Sequence, residues 1–108
     1  MISSSLRQFI GHAFPTVAHL EAALYFRARP ADDHSCEQAA RALYLSPAQG
    51  EELLQHLCGI GILAESGHDS FRWAPRDAAI AAAMDEAVRA YHADLRAITA
   101  LIHDRHER

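Results

Sequence analysis

The sequence predicts a single, mainly α-helical domain that contains one small β-hairpin. Three observations lead to this prediction: two helix-capping motifs close together, a pair of strand-like segments around a polar turn, and a long apolar stripe at helical spacing near the C-terminus. The chain has 108 residues, enough for one modest core and too few for two. Half of the residues are hydrophobic and alanine supplies many of them, which favours closely packed helices.

Two helices are predicted within residues 1–29. In the first, apolar residues share one side of a short helix: Leu6, Phe9 and Ile10. Pro15 is placed at the first position of the second helix, where its missing N–H has no cost. Apolar residues then recur at helical spacing: Val17, Leu20 and Leu24. The helix is expected to stop before Pro30, and the following segment PADDHS is typical of a polar turn.

Two capping boxes predict the next two helices. Ser35 with Gln38 forms the first box, so a helix is expected over about residues 36–44. Ser46 with Gln49 forms the second box and begins another helix directly afterwards. Two short helices joined by so few residues form a helix-turn-helix.

The second capped helix is predicted to pack closely against the first. Pro47 occupies its first position, and Gly59 and Gly61 end it. Three residues are expected to face the core: Leu53, Leu54 and Leu57. Gly50 lies on the same side, although a glycine within a helix costs roughly 1 kcal/mol relative to alanine. We therefore expect the two helices to approach each other at Gly50.

A β-hairpin is predicted after this helix. The segment ILAE forms the first strand, SGHD the turn and SFRWA the returning strand. Phe71 and Trp73 are expected on the same face, because side chains alternate along a strand.

One continuous helix is predicted from Asp77 to about Arg105, about 43 Å long at 1.5 Å per residue. Such a helix overhangs a core of this size, so its apolar stripe is expected to pair with a second copy of the chain in a homodimer, helped by the N-terminal helix. The candidate dimer residues are Ile80, Met84, Tyr91, Leu95, Ile98 and Ile102. The predicted segments of the single domain 1–108 are 1–29, 35–75 and 77–105.

This order of elements resembles the winged helix-turn-helix superfamily. The resemblance is carried by Ser35-Cys36-Glu37-Gln38-Ala39-Ala40, by Leu43-Tyr44-Leu45-Ser46, by residues 53–57 and 61–63, and by a hairpin that looks like the wing and ends in Phe71-Arg72-Trp73. The flanking helices are similar to those of bacterial regulators of the ArsR-like (arsenic-repressor) and MarR-like types. The resemblance implies a homodimeric transcription regulator whose second capped helix enters the DNA major groove.

The charge of the second capped helix argues against its binding in the DNA major groove. The net charge is −4 and the isoelectric point is near 6.0, whereas DNA-binding domains are usually basic. A helical projection points Ala48, Glu51, Glu52 and Gln55 outward, where phosphates would repel the two carboxylates. The candidate DNA-contacting residues are Arg41, Gln49, Gln55, Arg72 and Arg76. Any DNA contact is therefore expected to be weak or to come from the wing.

Two other interpretations stay open. In one, the fold is kept as a protein–protein interaction module that has lost DNA binding. In the other, the chain is a metal-sensing repressor, since three histidines near the C-terminus resemble the zinc-binding pattern of ArsR-like sensors: His92, His103 and His106. Ala90 stands where that pattern has its first, acidic ligand, and exposed histidines without metal are the simpler interpretation.

The sequence favours neither an enzyme nor a membrane protein. It has no glycine-rich phosphate loop, nucleophile elbow or paired catalytic acids. No apolar run approaches the ~20 residues of a membrane span, and the N-terminus does not resemble a signal peptide. Cys36 and Cys58 are expected to be free packing residues. We expect a cytoplasmic regulatory protein that needs no cofactor.

Overall fold

The computed structural model describes residues 2–106, with side chains described for residues 2–103. This part of the chain is mainly helical and carries a small antiparallel sheet, as predicted. Its elements are α1 (Ser4–Ala13), α2 (Val17–Arg27), β1 (His34–Ser35), α3 (Cys36–Ala42), α4 (Pro47–Ile60), β2 (Leu63–Gly67), β3 (Ser70–Trp73), α5 (Ala78–Ala93) and α6 (Leu95–His106).

The two N-terminal helices lie where the sequence placed them, with one difference at the start of α2. The Ser3 hydroxyl accepts a hydrogen bond from the Leu6 backbone N–H and caps α1. Thr16 caps α2 in the same way, so Val17 is the first helical residue. The prediction that Pro15 occupies that position was wrong, because the threonine side chain provides the cap one residue later.

Both predicted capping boxes are present. The Ser35 hydroxyl accepts from the Gln38 N–H, and the Gln38 side chain accepts from the Ser35 N–H. Ser46 and Gln49 repeat this pair of bonds, with Pro47 as the first residue of α4. At the other end, α4 stops at Gly61, whose φ of 96° lies in the left-handed region that glycine adopts easily.

Gly50 lets α3 and α4 pack closely, as the sequence predicted. A Cβ at position 50 would lie 2.8 Å from the Ala40 Cβ and 3.5 Å from the Cys36 Sγ. Only a hydrogen on the Gly50 Cα leaves room for α3 at this distance.

The sheet contains a strand that the sequence analysis missed. The strands are ordered β1-β3-β2, and β1 pairs antiparallel with β3, with His34 opposite Phe71 and Ser35 opposite Ser70. The β2–β3 hairpin was predicted and is present. The segment around His34 was predicted as a turn because two residues are too few to show an alternating pattern.

The predicted continuous helix over residues 77–105 was wrong. At Asp94 the backbone is extended, with φ −153° and ψ 81°, and the chain forms two helices, α5 and α6. The Asp94 carboxylate accepts a hydrogen bond from the Ala97 N–H, so it caps α6. Aspartate stabilises a helix start better than a helix interior, because its side chain competes for backbone N–H groups.

The break folds the C-terminal segment back onto the domain, where α6 packs against α1, α2 and α5. Met84, Ile98 and Ile102, three of the candidate dimer residues, are buried in the core of the chain itself. They are not exposed for a partner, because the helix that was expected to overhang the core covers it instead. Ile80 and Tyr91 are half-buried, and Leu95 is 50% exposed. The homodimer stays a prediction.

We predict that Gly50→Ala destabilises the protein by about 1–2 kcal/mol. The added methyl group forces α3 and α4 apart, at an overpacking cost of typically 1–3 kcal/mol, which the better helix propensity of alanine offsets only in part. Gly59→Ala is the matched control, because a Cβ at that helical position meets nothing within 4 Å. In this control the free energy of unfolding should rise by about 0.5–1 kcal/mol. Urea denaturation measures both, and equal gains in the two variants would contradict the close contact.

Candidate functional site

The outward side of α4 is acidic. Leu53, Leu54 and Leu57 are buried, whereas Glu51, Glu52 and Gln55 are exposed, as the helical projection predicted. The Gln55 Nε2 donates to the Glu65 carboxylate on β2 at 2.8 Å, so this strand adds a further negative charge beside the helix. We call Glu51, Glu52 and Glu65 with Gln55 the acidic face.

The two amide side chains predicted to read bases are engaged in bonds within the chain. Besides its bond to Glu65, the Gln55 Nε2 lies 3.4 Å from a Glu51 carboxylate oxygen. The Gln49 Oε1 accepts the Ser46 N–H in the capping box. To contact a base with this oxygen, Gln49 would have to give up a bond that begins α4.

Two of the three candidate arginines lie in ion pairs. The Arg41 guanidinium is 2.8 Å from Glu37, one turn earlier on α3. The Arg72 Nε is 2.8 Å from Asp33, just before β1. Hydrogen bonding from Ser66 and the nearby Arg72 charge lower the pKa of Asp33, so this carboxylate stays ionised and neutralises Arg72. Both pairs are exposed, and pairs of this kind contribute little stability.

Arg76, the third candidate arginine, extends over the end of α4. Its backbone N–H donates to the Gly61 carbonyl at 2.7 Å. A Cβ at Gly61 would lie 3.0 Å from the Arg76 Nε, so the side chain packs directly above the glycine. Arg76 is exposed and provides a cation near the hairpin.

Tyr44, in the turn between α3 and α4, is the most exposed large hydrophobic residue among the described side chains, at 97%. Its φ of 59° is left-handed, and the turn is a Schellman motif: the Leu45 N–H donates to Ala40 at 2.8 Å and the Tyr44 N–H to Arg41 at 3.3 Å. Tyr44 was predicted to be the last residue of the helix, and its left-handed, exposed conformation was not predicted. The sequence signal for this turn was an aromatic residue directly after the end of α3, at the position where a helix usually ends with glycine.

Two hollows flank this turn, and Leu45 lines both. The first has a volume of about 590 Å³ and lies between α3, the start of α4 and the hairpin turn. Its charged lining consists of Glu37, Arg41, Glu51 and Asp69. The second, about 380 Å³, lies between α2 and α4 and includes His19 and Glu52.

The alternative interpretation as a metal sensor involves three histidines, which the structure places on two different helices. His92 lies on α5 and His103 on α6, with the Asp94 break between them, and the side chain of His106 lies outside the described residues. Over residues 2–103, no group of three histidine, cysteine or acidic side chains has a geometry that holds a metal ion.

A different pair of histidines joins α2 to α4. The rings of His19 and His56 meet edge to face with centroids 5.0 Å apart. The His56 Nε2 lies 3.0 Å from the Ala13 carbonyl oxygen, and the His19 Nδ1 lies 2.8 Å from the Thr16 hydroxyl. These contacts connect the end of α1 and the start of α2 to the second half of α4, and they explain both histidines as structural residues.

The two cysteines are free thiols with raised pKa values. The Cys36 Sγ is 3.7 Å from the Pro47 carbonyl oxygen and is buried between α3 and α4, and burial is the main cause of its shift. Burial, followed by the charges of Glu65 and Glu51, raises the pKa of Cys58 to about 11. Thiols of this kind are poor nucleophiles and poor metal ligands near neutral pH.

We predict slow reaction of Cys58 with Ellman's reagent in a Cys36→Ala variant. With a pKa near 11, only about one thiol in a thousand is ionised at pH 8. The rate should rise between pH 9 and 11, and urea should accelerate it at pH 8. Because the folded state holds this proton more tightly than the unfolded state, Cys58 also makes the protein less stable as pH rises through that range. Fast native reaction at pH 7 would contradict the proposed environment.

We predict that Tyr44→Gly stabilises the protein by about 0.5–1 kcal/mol. The left-handed conformation costs a non-glycine residue roughly 1–2 kcal/mol, and the greater freedom of glycine in the unfolded chain cancels only part of this gain. Tyr44→Ala is the control, since it removes the ring and keeps the strain, and it should change stability by less than about 0.5 kcal/mol. Thermal and urea unfolding measure both. A Tyr44→Gly protein no more stable than Tyr44→Ala would show that the turn is not strained.

Over the described residues, none of the helices combines the length and the apolar character needed to cross a membrane. The chain matches no protein-family model, and comparisons with curated proteins and with solved structures give no match either. What the acidic face and the turn beside it can bind therefore has to be inferred from their own geometry and charge.

Proposed function

We propose that this chain is a winged-helix domain that acts as a non-enzymatic regulatory module by binding another protein. Three features support the winged-helix assignment: the order of the elements, the tight α3–α4 turn, and a sheet in which the strand before α3 pairs with the hairpin. In this assignment α4 is the helix that would lie in the major groove, and β2 and β3 form the wing.

The acidic face is the main reason to propose that the binding partner is a protein and not DNA. Glu51 and Glu52 project from the centre of the surface that would meet the groove, and Glu65 extends the charge onto the wing. Non-specific affinity for DNA comes mostly from neutralising phosphates, and this surface repels them. The nearby arginines attract DNA only weakly, because Arg41 is paired with Glu37 and Arg72 is paired with Asp33.

The hydrogen bonds that the α4 glutamines make within the chain also favour a protein partner over DNA. To make the bidentate contact by which glutamine reads adenine, Gln49 and Gln55 would each have to give up a hydrogen bond within the chain. An interface that reads DNA normally presents such groups free of internal partners, because each exchange reduces the net gain in binding free energy.

A second candidate function is DNA binding by the wing, in a transcription regulator. The exposed Arg72 and Arg76, on and just after β3, favour it. The Arg72–Asp33 pair is exposed and weak, so a phosphate can replace the carboxylate at little cost. This candidate requires that the wing bind while the acidic face stays away from the duplex.

We predict that the wild-type domain does not bind a DNA duplex measurably, even at low salt. Glu51→Lys with Glu52→Lys should make binding measurable at low salt, and this binding should weaken as the salt concentration rises, because the two new phosphate contacts release counterions. Fluorescence anisotropy with a labelled random-sequence duplex measures both quantities.

The control is Asp85→Lys with Glu86→Lys on α5, a helix that packs against α1 and α6, which changes the net charge equally. Because this variant also loses the Arg27–Asp85 ion pair and the Ser3–Glu86 hydrogen bond, urea denaturation must show that it is folded. If this control gains as much affinity as the α4 variant, net charge alone is responsible. Asp33→Asn tests the second candidate, since it releases Arg72. Tight, salt-sensitive binding of the wild type that is lost in Arg72→Ala would refute the protein-binding proposal and establish the wing as a DNA contact.

A further inference from the structure

We propose that Tyr44 and the two hollows beside it form the docking site for a positively charged segment of a partner protein. This inference rests on the proposed protein-binding function and adds the surface that is used and the chemistry of the partner. We call Tyr44, Leu45 and the two hollows the turn surface.

The first step is that Tyr44 contributes nothing evident to the fold. Its side chain is 97% exposed, and its backbone adopts a conformation that disfavours every residue with a Cβ. At the end of the next helix the same role is filled by Gly61, which has no such strain. A bulky aromatic residue at a strained and solvated position is expected where binding, rather than folding, requires the ring.

The second step is that a tyrosine in this place suits an interface. Tyrosine covers a large contact area with few rotatable bonds, so it loses little entropy on binding, and it is frequent among the residues that dominate binding energy. The Schellman turn holds the Tyr44 backbone with two hydrogen bonds, so the ring projects from a rigid base.

The third step is the shape around the ring. Hollows of about 590 and 380 Å³ lie on either side of Leu45, the residue next to Tyr44. Tyr44 itself lines neither hollow, but its neighbour Leu45 lines both, so a partner that receives the exposed ring can insert side chains into the hollows nearby. Apolar residues floor the hollows: Ala40, Leu45 and Pro47 in the first, and Ala18, Leu45 and Leu53 in the second.

The fourth step is charge, which selects the partner. In the first hollow, the carboxylates of Glu37, Glu51 and Asp69 outnumber the single guanidinium of Arg41. Glu52 lines the second hollow. Lysine or arginine side chains of a partner are attracted to both hollows, whereas nucleic acid and phosphorylated peptides are repelled. The occupant is therefore a basic segment of another protein that also offers an apolar pocket for the Tyr44 ring.

The experiment is a selection of random peptides displayed on phage against the wild-type domain. We expect the selected peptides to be rich in lysine and arginine and to shift the amide NMR signals of the turn surface. Fluorescence anisotropy with synthetic copies of these peptides should show about tenfold or greater weakening for Tyr44→Gly. Because that variant is expected to be more stable than the wild type, its loss of binding cannot be attributed to unfolding.

Three controls define the interface. Tyr44→Phe keeps the ring and should bind within about threefold of the wild type, since the hydroxyl contributes no more than a single exposed hydrogen bond. Leu95→Ala removes the other exposed large hydrophobic residue among the described side chains and should leave binding unchanged. Glu51→Gln should weaken binding and reduce its dependence on salt.

The inference would be overturned if the selected peptides were neutral or acidic, or if they bound Tyr44→Gly as well as the wild type. It would also be overturned if they shifted NMR signals away from the turn surface, or if the selection yielded no binder. Sedimentation of the wild type and of Tyr44→Gly adds one further outcome: self-association that is lost in the variant would make the occupant a second copy of this chain and would also overturn it. The DNA-binding measurements are independent, so the proposed function can stand when the turn surface fails, or fail when peptides bind.

Discussion

The close contact between Gly50 and Ala40 is the constraint on which the rest of the candidate site depends. The two helices approach until there is no room for a methyl group between them, and this distance leaves a very short connection from α3 to α4. The chain makes that connection with a Schellman motif, which demands a left-handed residue after α3. Tyr44 occupies this position, so its exposure is a direct result of how tightly the helices pack.

The same packing fixes the direction of α4 and thereby its charge pattern. With Gly50, Leu53, Leu54 and Leu57 turned inward, helical periodicity leaves no alternative for Glu51 and Glu52 but the outer side. Fold and function are therefore specified by different positions of one helix, and the outer positions can change without cost to the core.

The elements that the sequence predicts well are those held by local interactions. Capping boxes join residues only three positions apart, a proline acts on its own backbone, and the Gly50 contact follows from a single unfavourable residue in a helix. Two of the features that were missed depend on contacts between distant parts of the chain. Pairing of β1 with β3 joins residues 34 and 71, and the Arg72–Asp33 pair spans 39 positions. Neither leaves a periodic pattern in either segment.

The break at Asp94 shows how local and distant interactions compete. The apolar stripe continues across this residue without interruption, so periodicity alone predicts one helix. Asp94 instead caps a second helix, and burial of Ile98 and Ile102 against the rest of the chain stabilises the bent arrangement. A stripe of apolar residues shows that a helix has a partner, but it does not show whether that partner is another molecule or the same chain. Here the chain itself is the partner for much of the stripe.

Two exposed features of the described residues are not explained by contacts within the chain, and they separate candidate functional residues from structural ones. The capping side chains, the histidine pair and the two thiols all have partners or surroundings that account for them. Tyr44 differs, because its ring contacts solvent and its backbone is strained. The acidic face differs in another way, since carboxylates gather there with few cations to offset them. Tyr44 and the acidic face are adjacent in the fold, since Glu51 lines a hollow next to the turn. Because they are adjacent, a single binding surface is the simplest explanation of both.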